Sequence, residues 1–355
     1  MDNFQSIKLF IPELVLVGTM LIGIIADLFY QREQSFRVGF WVIAGLAIAA
    51  LALFLTPAGE SITLFMGTIV IDPFARMFKF VFLLATTLTI LISLKTDELK
   101  SVRTGEYYVL ITAMTLGMFL MASSVDLIIS IEVVSIVSFI LAGYLKTQVR
   151  STEASLKYVI YGAFSSGIML YGFSLLFGLT GTTKLFEIRE SLAVLNGGTL
   201  TLTVAIVMIT AGFGYKISAV PFHFWTPDVY EGAPTPITAL LSVGPKAAGF
   251  ALLIRVFNTL FSGTDVFAAS VWQSLEGLPW QEVMAGLAAI TMTLGNVLAI
   301  QQSNVKRLLA YSSIAHAGYI LMGIPVLSQS GIYAVMFYVV VYLFMQLGAF
   351  FVVIS

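Results

Sequence analysis

Glu132, Lys216 and Lys246 each stand inside a long apolar stretch of the chain. An ionisable side chain at membrane depth costs a few kcal/mol on insertion scales, and such residues mark ion paths more often than plain structural contacts. Glu132 follows Asp126 by six residues, about 9 Å along a helix, which is too deep for an interfacial carboxylate. Lys246 lies eleven residues beyond Thr235, about 16 Å by the same rise, near the middle of a bilayer and past easy snorkelling. Lys216 sits in Ala211-Gly212-Phe213-Gly214-Tyr215-Lys216-Ile217-Ser218-Ala219-Val220-Pro221, crowded by two glycines and a proline. Pro221 lacks a backbone donor and clashes with the carbonyl of Ile217, four residues back, so a helix break is expected there. Freed backbone groups at membrane depth must line a cavity or be covered by protein. Pro245, directly before Lys246, is expected to make a second break.

A carboxylate and two amines in this setting suit proton transfer. Burial and a nearby opposite charge pull an amine's proton affinity in opposite directions, so the separation of Glu132 and Lys216 could set how tightly Lys216 holds its proton. Lysine offers no oxygen ligand, which argues against a coordinated sodium ion. Two competing readings stay open: Glu132 as a structural pair that holds helices together, and Lys216 beside a simple proline kink. His316, eight residues into the stretch from Leu308, is a further relay candidate because its ordinary pKa is near neutral. Its alternative is a hydrogen bond to a hydroxyl of the adjoining span. His223, beside Phe222, Phe224 and Trp225, reads as an interfacial structural residue.

The elements that must position these groups follow from composition. Of 355 residues 59% are hydrophobic and 10% charged, with mean hydropathy +0.97, against roughly 25% charge in a soluble domain. This is an all-α, polytopic membrane protein. A span needs roughly 20 mostly apolar residues, and the chain offers about eleven such stretches. The first six are Leu9 to Tyr30, Phe36 to Thr56, Phe74 to Leu94, Glu106 to Ala122, Val125 to Leu145 and Glu153 to Leu179. The other five are Thr199 to Val220, Thr235 to Phe257, Gln281 to Ile300, Leu308 to Leu327, and Gly331 to the end. The first is too long for the apolar core of a signal peptide and contains Glu13, so it is read as a retained span. No strand is evident. Thr182 to Leu192 has apolar residues spaced for one face of a short surface helix.

Lysine and arginine alternate between loops. Arg32, Arg37, Lys95, Lys100, Arg103, Lys146, Arg150, Lys157, Lys306 and Arg307 collect on one side, which the positive-inside rule makes cytoplasmic and which places the amino terminus outside. Lys157, Lys306 and Arg307 are read as topology signals, with proton feeding as the alternative for Lys157. The absence of cysteine excludes disulfides, thiolate metal sites and iron–sulfur clusters in this chain. Two histidines in separate segments leave a bis-histidine haem only as a minor alternative. A net charge of −1 offers no basic surface for nucleic acid.

The stretch from Lys216 to Pro236, KISAVPFHFWTPDVYEGAPTP, resembles the signature of the antiporter-like membrane subunits of respiratory complex I, the NADH:quinone oxidoreductase. The continuation Leu241-Ser242-Val243-Gly244-Pro245-Lys246-Ala247-Ala248-Gly249-Phe250, the Ile11-Pro12-Glu13-Leu14 run, and Lys306 to Tyr319 are similar to its N-type branch. The resemblance covers the whole chain. It implies a fold of roughly fourteen helices with two inverted five-helix repeats, each holding one broken helix. Mapped here, residues 1–105 form an N-terminal three-helix segment, 106–260 the first repeat, and 281–355 the start of a second, incomplete repeat, so further spans are expected beyond Ser355. It also implies that Glu132, Lys216 and Lys246 are the family's proton-translocating carboxylate and lysines. The function implied is that of a proton-translocating subunit of the oxidoreductase in a bacterial inner membrane, with no redox centre of its own. NADH, FMN, iron–sulfur clusters and quinone are then expected on partners: other membrane subunits and, indirectly, a peripheral redox arm. The rival is a membrane subunit of a multi-subunit sodium/proton antiporter, and a scaffold that moves no protons is a third possibility.

Overall fold

The computed structural model describes residues 3–57, 59, 61–126, 131–194, 200–261 and 280–354. Among them, nine helices are long and apolar enough to cross a membrane, and the chain is an integral membrane protein. A short α1 (Asn3–Leu9) leads into α2 (Ile11–Phe29), α3 (Val38–Leu55), α4 (Pro73–Ser93) and α5 (Gly105–Ser123). Next come α6 (Ile131–Ala142), α7 (Val149–Thr180), the short α8 (Leu185–Val194) and α9 (Leu200–Ile217). The remainder is α10 (Trp225–Gly232), α11 (Thr235–Phe261), α12 (Trp280–Ile300), α13 (Val305–Leu321) and α14 (Gln329–Ile354).

Two of the expected spans are shorter than the rest. The described part of α6 has 12 residues: Val125, Asp126 and 143–145 of the expected Val125 to Leu145 stretch are not helical, and 127–130 lie outside the described residues, as do Thr199 and Ser355. Helix α13 has 17 residues. The expectation of no strand needs correction: Ile62–Leu64 and Ile69–Ile71 pair as an antiparallel hairpin, β1 and β2. Its turn carries Phe65 and Met66 at positive φ (48° and 57°). Three-residue strands are too short for alternation to stand out in an apolar sequence.

The helix ends are chemically specified. Asp72 caps α4 by accepting from the Ala75 N–H at 2.7 Å, and Pro73 fills the first turn, where its missing donor costs nothing. Gly181, at φ 74°, closes α7 by donating to the Phe177 carbonyl at 2.7 Å, a left-handed terminus that suits glycine. Glu98 reaches from a distant loop to the first residue of α11. It accepts from the Thr235 N–H at 2.8 Å and from its hydroxyl at 2.7 Å, which satisfies an orphan donor and places negative charge at the positive end of the helix. In α8, Leu185, Ile188 and Leu192 are buried, and their spacing is the one-sided apolar face read from the sequence.

Helix α11 is the axis of the molecule. All 27 of its residues are buried, as expected of a helix that is apolar on every side, and it packs against α4, α5, α9 and α14. Pro245 lies inside this continuous helix, so the expected second break does not occur. The local rule is overruled by surroundings: α11 is enclosed by other helices along its length, and Gly244 lets the Met118 thioether approach where a Cβ would stand only 3.0 Å away. One missing ladder bond is tolerable in a helix held from all sides.

Two buried ion pairs fix the first helices. The Lys79 ammonium donates to Glu13 at 2.6 Å with both side chains under 5% exposed, joining α4 to α2, and it lies 5.5 Å from the centre of the Phe119 ring. Arg255 of α11 forms a two-pronged pair with Asp72, at 2.8 and 3.1 Å, and also donates to the Ala122 carbonyl at 3.0 and 2.9 Å. That guanidinium ties α11 to the start of α4 and the end of α5.

Candidate functional site

The break expected at Pro221 is present. Helix α9 ends at Ile217, Ser218 takes a positive φ of 62°, and α10 starts at Trp225. Backbone groups released by the break find partners. The Tyr215 carbonyl accepts from the Ser218 N–H at 3.1 Å and from the Trp225 indole at 3.1 Å. The Gly214 carbonyl accepts from Ala219 at 2.7 Å, and the Val220 N–H donates to Thr291 of α12 at 3.0 Å. Trp225 stacks on Tyr158 of α7 at 4.4 Å between ring centres, and the Tyr215 hydroxyl donates to the Tyr158 carbonyl at 3.1 Å. The interruption is thus built in, and these backbone groups are hydrogen-bonded, as backbone exposed in an apolar setting requires.

Lys216 occupies the last turn before the break and is buried. Its ammonium donates to the Ser135 hydroxyl of α6 and, at 3.4 Å, to the Ile131 carbonyl. Glu132 lies on the same face of α6, three residues before Ser135, close enough to act on Lys216 through its charge. Among the described residues the two form no ion pair, and the Glu132 Oε1 is buried without a hydrogen-bond partner. The carboxylate is near the amine, and the serine is what touches it.

Lys246 is 3% exposed. Its ammonium donates to the Ser313 hydroxyl of α13 and lies 5.4 Å from the centre of the Tyr230 ring. The backbones that carry the two lysines meet where α11 presents Gly249, three residues after Lys246. A Cβ there would stand 3.4 Å from the Lys216 Cβ and 3.2 Å from the Ile217 Cγ2. Lys216 thus reaches toward α6 and Lys246 toward α13, from either side of one seam.

His316 is half-buried, its Nδ1 2.6 Å from the Tyr338 hydroxyl of α14. Its ring centre is 5.3 Å from that of Tyr342, and it feels the charge of Lys246. The hydroxyl partner expected for it on the adjoining span is present, and the residue also belongs to the Lys246 neighbourhood. His223 is buried against Phe224, with 4.6 Å between ring centres, and its Nδ1 has no hydrogen-bond partner among the described residues.

Several contributors escaped the sequence reading. Ser135, Ser313, Tyr230 and Tyr342 supply the hydroxyls around the amines. In the first turn of α10, Asp228 binds Lys157 at 2.7 Å and Arg307 at 2.6 Å. Glu231 binds Arg307 at 3.1 Å, and Lys306 donates to the Ala233 carbonyl at 2.7 Å. Lys157, Asp228, Glu231 and Arg307 line an open cleft of about 230 Å³, and these charges hold α10 between α7 and α13. Burial alone would raise the Asp228 pKa, but the bonds from Lys157 and Arg307 outweigh it and hold the carboxyl below its ordinary value. Among the described residues no three His, Asp or Glu side chains converge as a metal site needs.

The NADH:quinone oxidoreductase/Mrp antiporter transmembrane family model matches residues 122–355. NADH-quinone oxidoreductase subunit N of Anaeromyxobacter sp. (strain Fw109-5) is 48% identical, over 99% of this chain and 70% of its own length. Subunit N 2 of Chloroherpeton thalassium is 50% identical, over 97% and 68%. Among solved structures, a chain of respiratory complex I from Thermus thermophilus superimposes with a TM-score of 0.75 at 30% identity, covering 96% of this chain and 69% of that one. A chain of the Mrp complex from Dietzia sp. has the same fold, with a TM-score of 0.79 at 23% identity, over 96% of this chain and 37% of its own. With a family match over most of its length and nearly all of it aligned to subunit N relatives, the chain belongs to the NADH:quinone oxidoreductase/Mrp antiporter transmembrane family.

Proposed function

We propose that this chain is a proton-translocating membrane subunit of a complex I type NADH:quinone oxidoreductase. The observation that carries the reading is the pair of buried amines, Lys216 at a hydrogen-bonded helix break and Lys246 on a fully enclosed helix, each bonded to a serine hydroxyl. An amine kept from water can lose its proton, and a hydroxyl can both give and receive one, so each pair forms a transfer step. Glu132 modulates Lys216 through space: movement of α6 relative to α9 changes their separation and with it the amine's hold on its proton. Lys246 takes the next position and His316 follows it. Electron transfer, with NADH, FMN, iron–sulfur clusters and quinone, takes place on partner subunits, and this chain responds to it through the membrane subunits beside it. The amino terminus faces the outside of a bacterial inner membrane, as the lysine and arginine distribution favours.

The identity to subunit N relatives supports this reading over a sodium/proton antiporter, because the Mrp neighbour supports the fold alone. Replacing Lys216 by Met in the assembled complex tests it. Proton pumping and coupled quinone reduction are expected to fall together, and normal pumping by a correctly assembled Lys216→Met complex refutes the assignment.

A further inference from the structure

On the relay reading, the separation of Glu132 and Lys216 governs the amine, and a resting separation needs something to hold it. Burial favours closure, because an ammonium and a carboxylate kept from water attract strongly. Yet the Lys216 ammonium rests on neutral groups. It donates to the Ser135 hydroxyl and, at 3.4 Å, to the Ile131 carbonyl, although Glu132 stands one turn before Ser135 on the same helix and acts on the amine through its charge. An ammonium carries three N–H donors, and among the described residues these partners occupy two of them. Glu132 Oε1 meanwhile is buried with no hydrogen-bond partner among the described residues. A buried acceptor without a donor calls for an explanation, and here a spare donor sits one helical turn away.

Ser135 is arranged to receive. It is 2% exposed, and its own hydrogen goes to the Ile131 carbonyl at 2.8 Å, the back-bond that a helical serine makes one turn down its own helix. That bond fixes the rotation of the hydroxyl and leaves its lone pairs to the amine. The same carbonyl accepts from Lys216, so Ser135, Ile131 and Lys216 close a triangle of hydrogen bonds. Glu132 follows Ile131 directly in the chain, and side chains one turn apart have their Cβ atoms about 5–6 Å from each other. The triangle thus parks the ammonium beside the carboxylate without joining the two.

We propose that Ser135 is a positioning residue that holds the protonated Lys216 off Glu132, a role that rests on the relay reading and says what keeps its ion pair open. The serine and the Ile131 carbonyl together give the ammonium two bonds in place of one carboxylate. A shift of α6 against α9 by less than one turn hands the amine to Glu132, whose free oxygen gains the donor it lacks. No bond to hydrogen breaks in this step, since the ammonium moves with all its protons. The change is one of partner, and the new partner alters how tightly the amine holds its proton.

Cryo-electron microscopy of the assembled complex carrying Ser135→Ala reads the position of the ammonium. With the hydroxyl gone, the Lys216 Nζ is expected within salt-bridge distance of the Glu132 carboxylate, about 4 Å or less. Proton pumping in membrane vesicles is expected to fall about ten-fold or more, the equilibrium worth of one hydrogen bond to a charged group. Ser135→Thr keeps a hydroxyl, and is expected to keep the Nζ on residue 135 and to restore most of the pumping. An Nζ that stays beside the Ile131 carbonyl in Ser135→Ala, or that settles away from Glu132, overturns the role. If Ser135→Ala does not assemble, Glu132→Gln decides: an Nζ still bonded to Ser135 supports the role, and one displaced from Ser135 overturns it. The relay reading fails separately, through full pumping by Lys216→Met. An Nζ drawn onto Glu132 in Ser135→Ala with pumping unchanged upholds the holding role of Ser135 and counts against the relay.

Discussion

Asp72→Asn isolates the worth of the Arg255 clamp. Asparagine is also a good N-cap, so the bond from Ala75 survives, and the change removes little except the negative charge. Arg255 then remains 2% exposed at its side chain, still donating to the Ala122 carbonyl but without its counter-charge. Breaking a buried pair from one side costs about 3–5 kcal/mol, roughly two to three and a half decades in the unfolding equilibrium at 1.4 kcal/mol per decade. The double change Asp72→Asn with Arg255→Met leaves no buried charge and fills the volume of the arginine stem. Its remaining loss is the bond to the Ala122 carbonyl, on the order of 1–3 kcal/mol. The double variant is therefore expected to be more stable than Asp72→Asn alone, with a coupling energy of at least about 2 kcal/mol. The assay is thermal unfolding of the detergent-purified complex, read as the fraction that retains this subunit. An Asp72→Asn protein within about 1 kcal/mol of the original, or a double variant no better than the single, refutes the reasoning that the clamp is a desolvated charge pair.

Three other outcomes follow from the packing. Gly318→Val places a Cβ about where the Met292 nitrogen stands 2.5 Å away; because that neighbour is backbone, α13 must move from α12, with a loss of at least about 1–3 kcal/mol and a lower yield of assembled subunit. Asp228→Asn weakens a partly exposed cluster, so a loss of about 1 kcal/mol or less is expected at neutral pH, measurable in the same unfolding assay. The sign of its pH dependence follows from a carboxyl whose folded pKa is depressed: the stabilisation is complete above the ordinary aspartate pKa and is lost as pH falls through the lower, folded value. Stability of the α7–α10–α13 contact should thus be flat from neutral to mildly acidic pH, and a steep loss between pH 7 and 6 contradicts it.

The break at Pro221 was legible because its cause is covalent and local: a ring without a donor, four residues from the carbonyl it displaces. Pro245 obeys the same local rule and yet sits in a continuous helix, because the deciding forces come from helices remote in sequence. That Lys216 and Lys246 are buried agrees with their place inside apolar runs. Their partners could not be found that way. Ser135 is 81 positions from Lys216 and Ser313 is 67 from Lys246, and serines are frequent in membrane helices as benign small residues. The available signal was helical spacing: Ser135 stands one turn from Glu132, and Ser313 one turn from His316. Arg307 and Lys157 read as topology markers, and only the fold shows that Asp228 of α10 joins them. The hairpin at 62–71 escaped because its strands are too short for a period-two pattern.

Exchange of Lys246 for arginine, followed by the protons moved per NADH oxidised in sealed vesicles, tests the central claim most directly. Arginine keeps the positive charge and can still bond a hydroxyl, but it does not release a proton in a protein. If the buried amine works by losing its proton, the Lys246→Arg complex assembles and its pumping falls about ten-fold or more. Undiminished pumping in that complex would mean that a fixed charge is all the position requires, and the relay would be wrong.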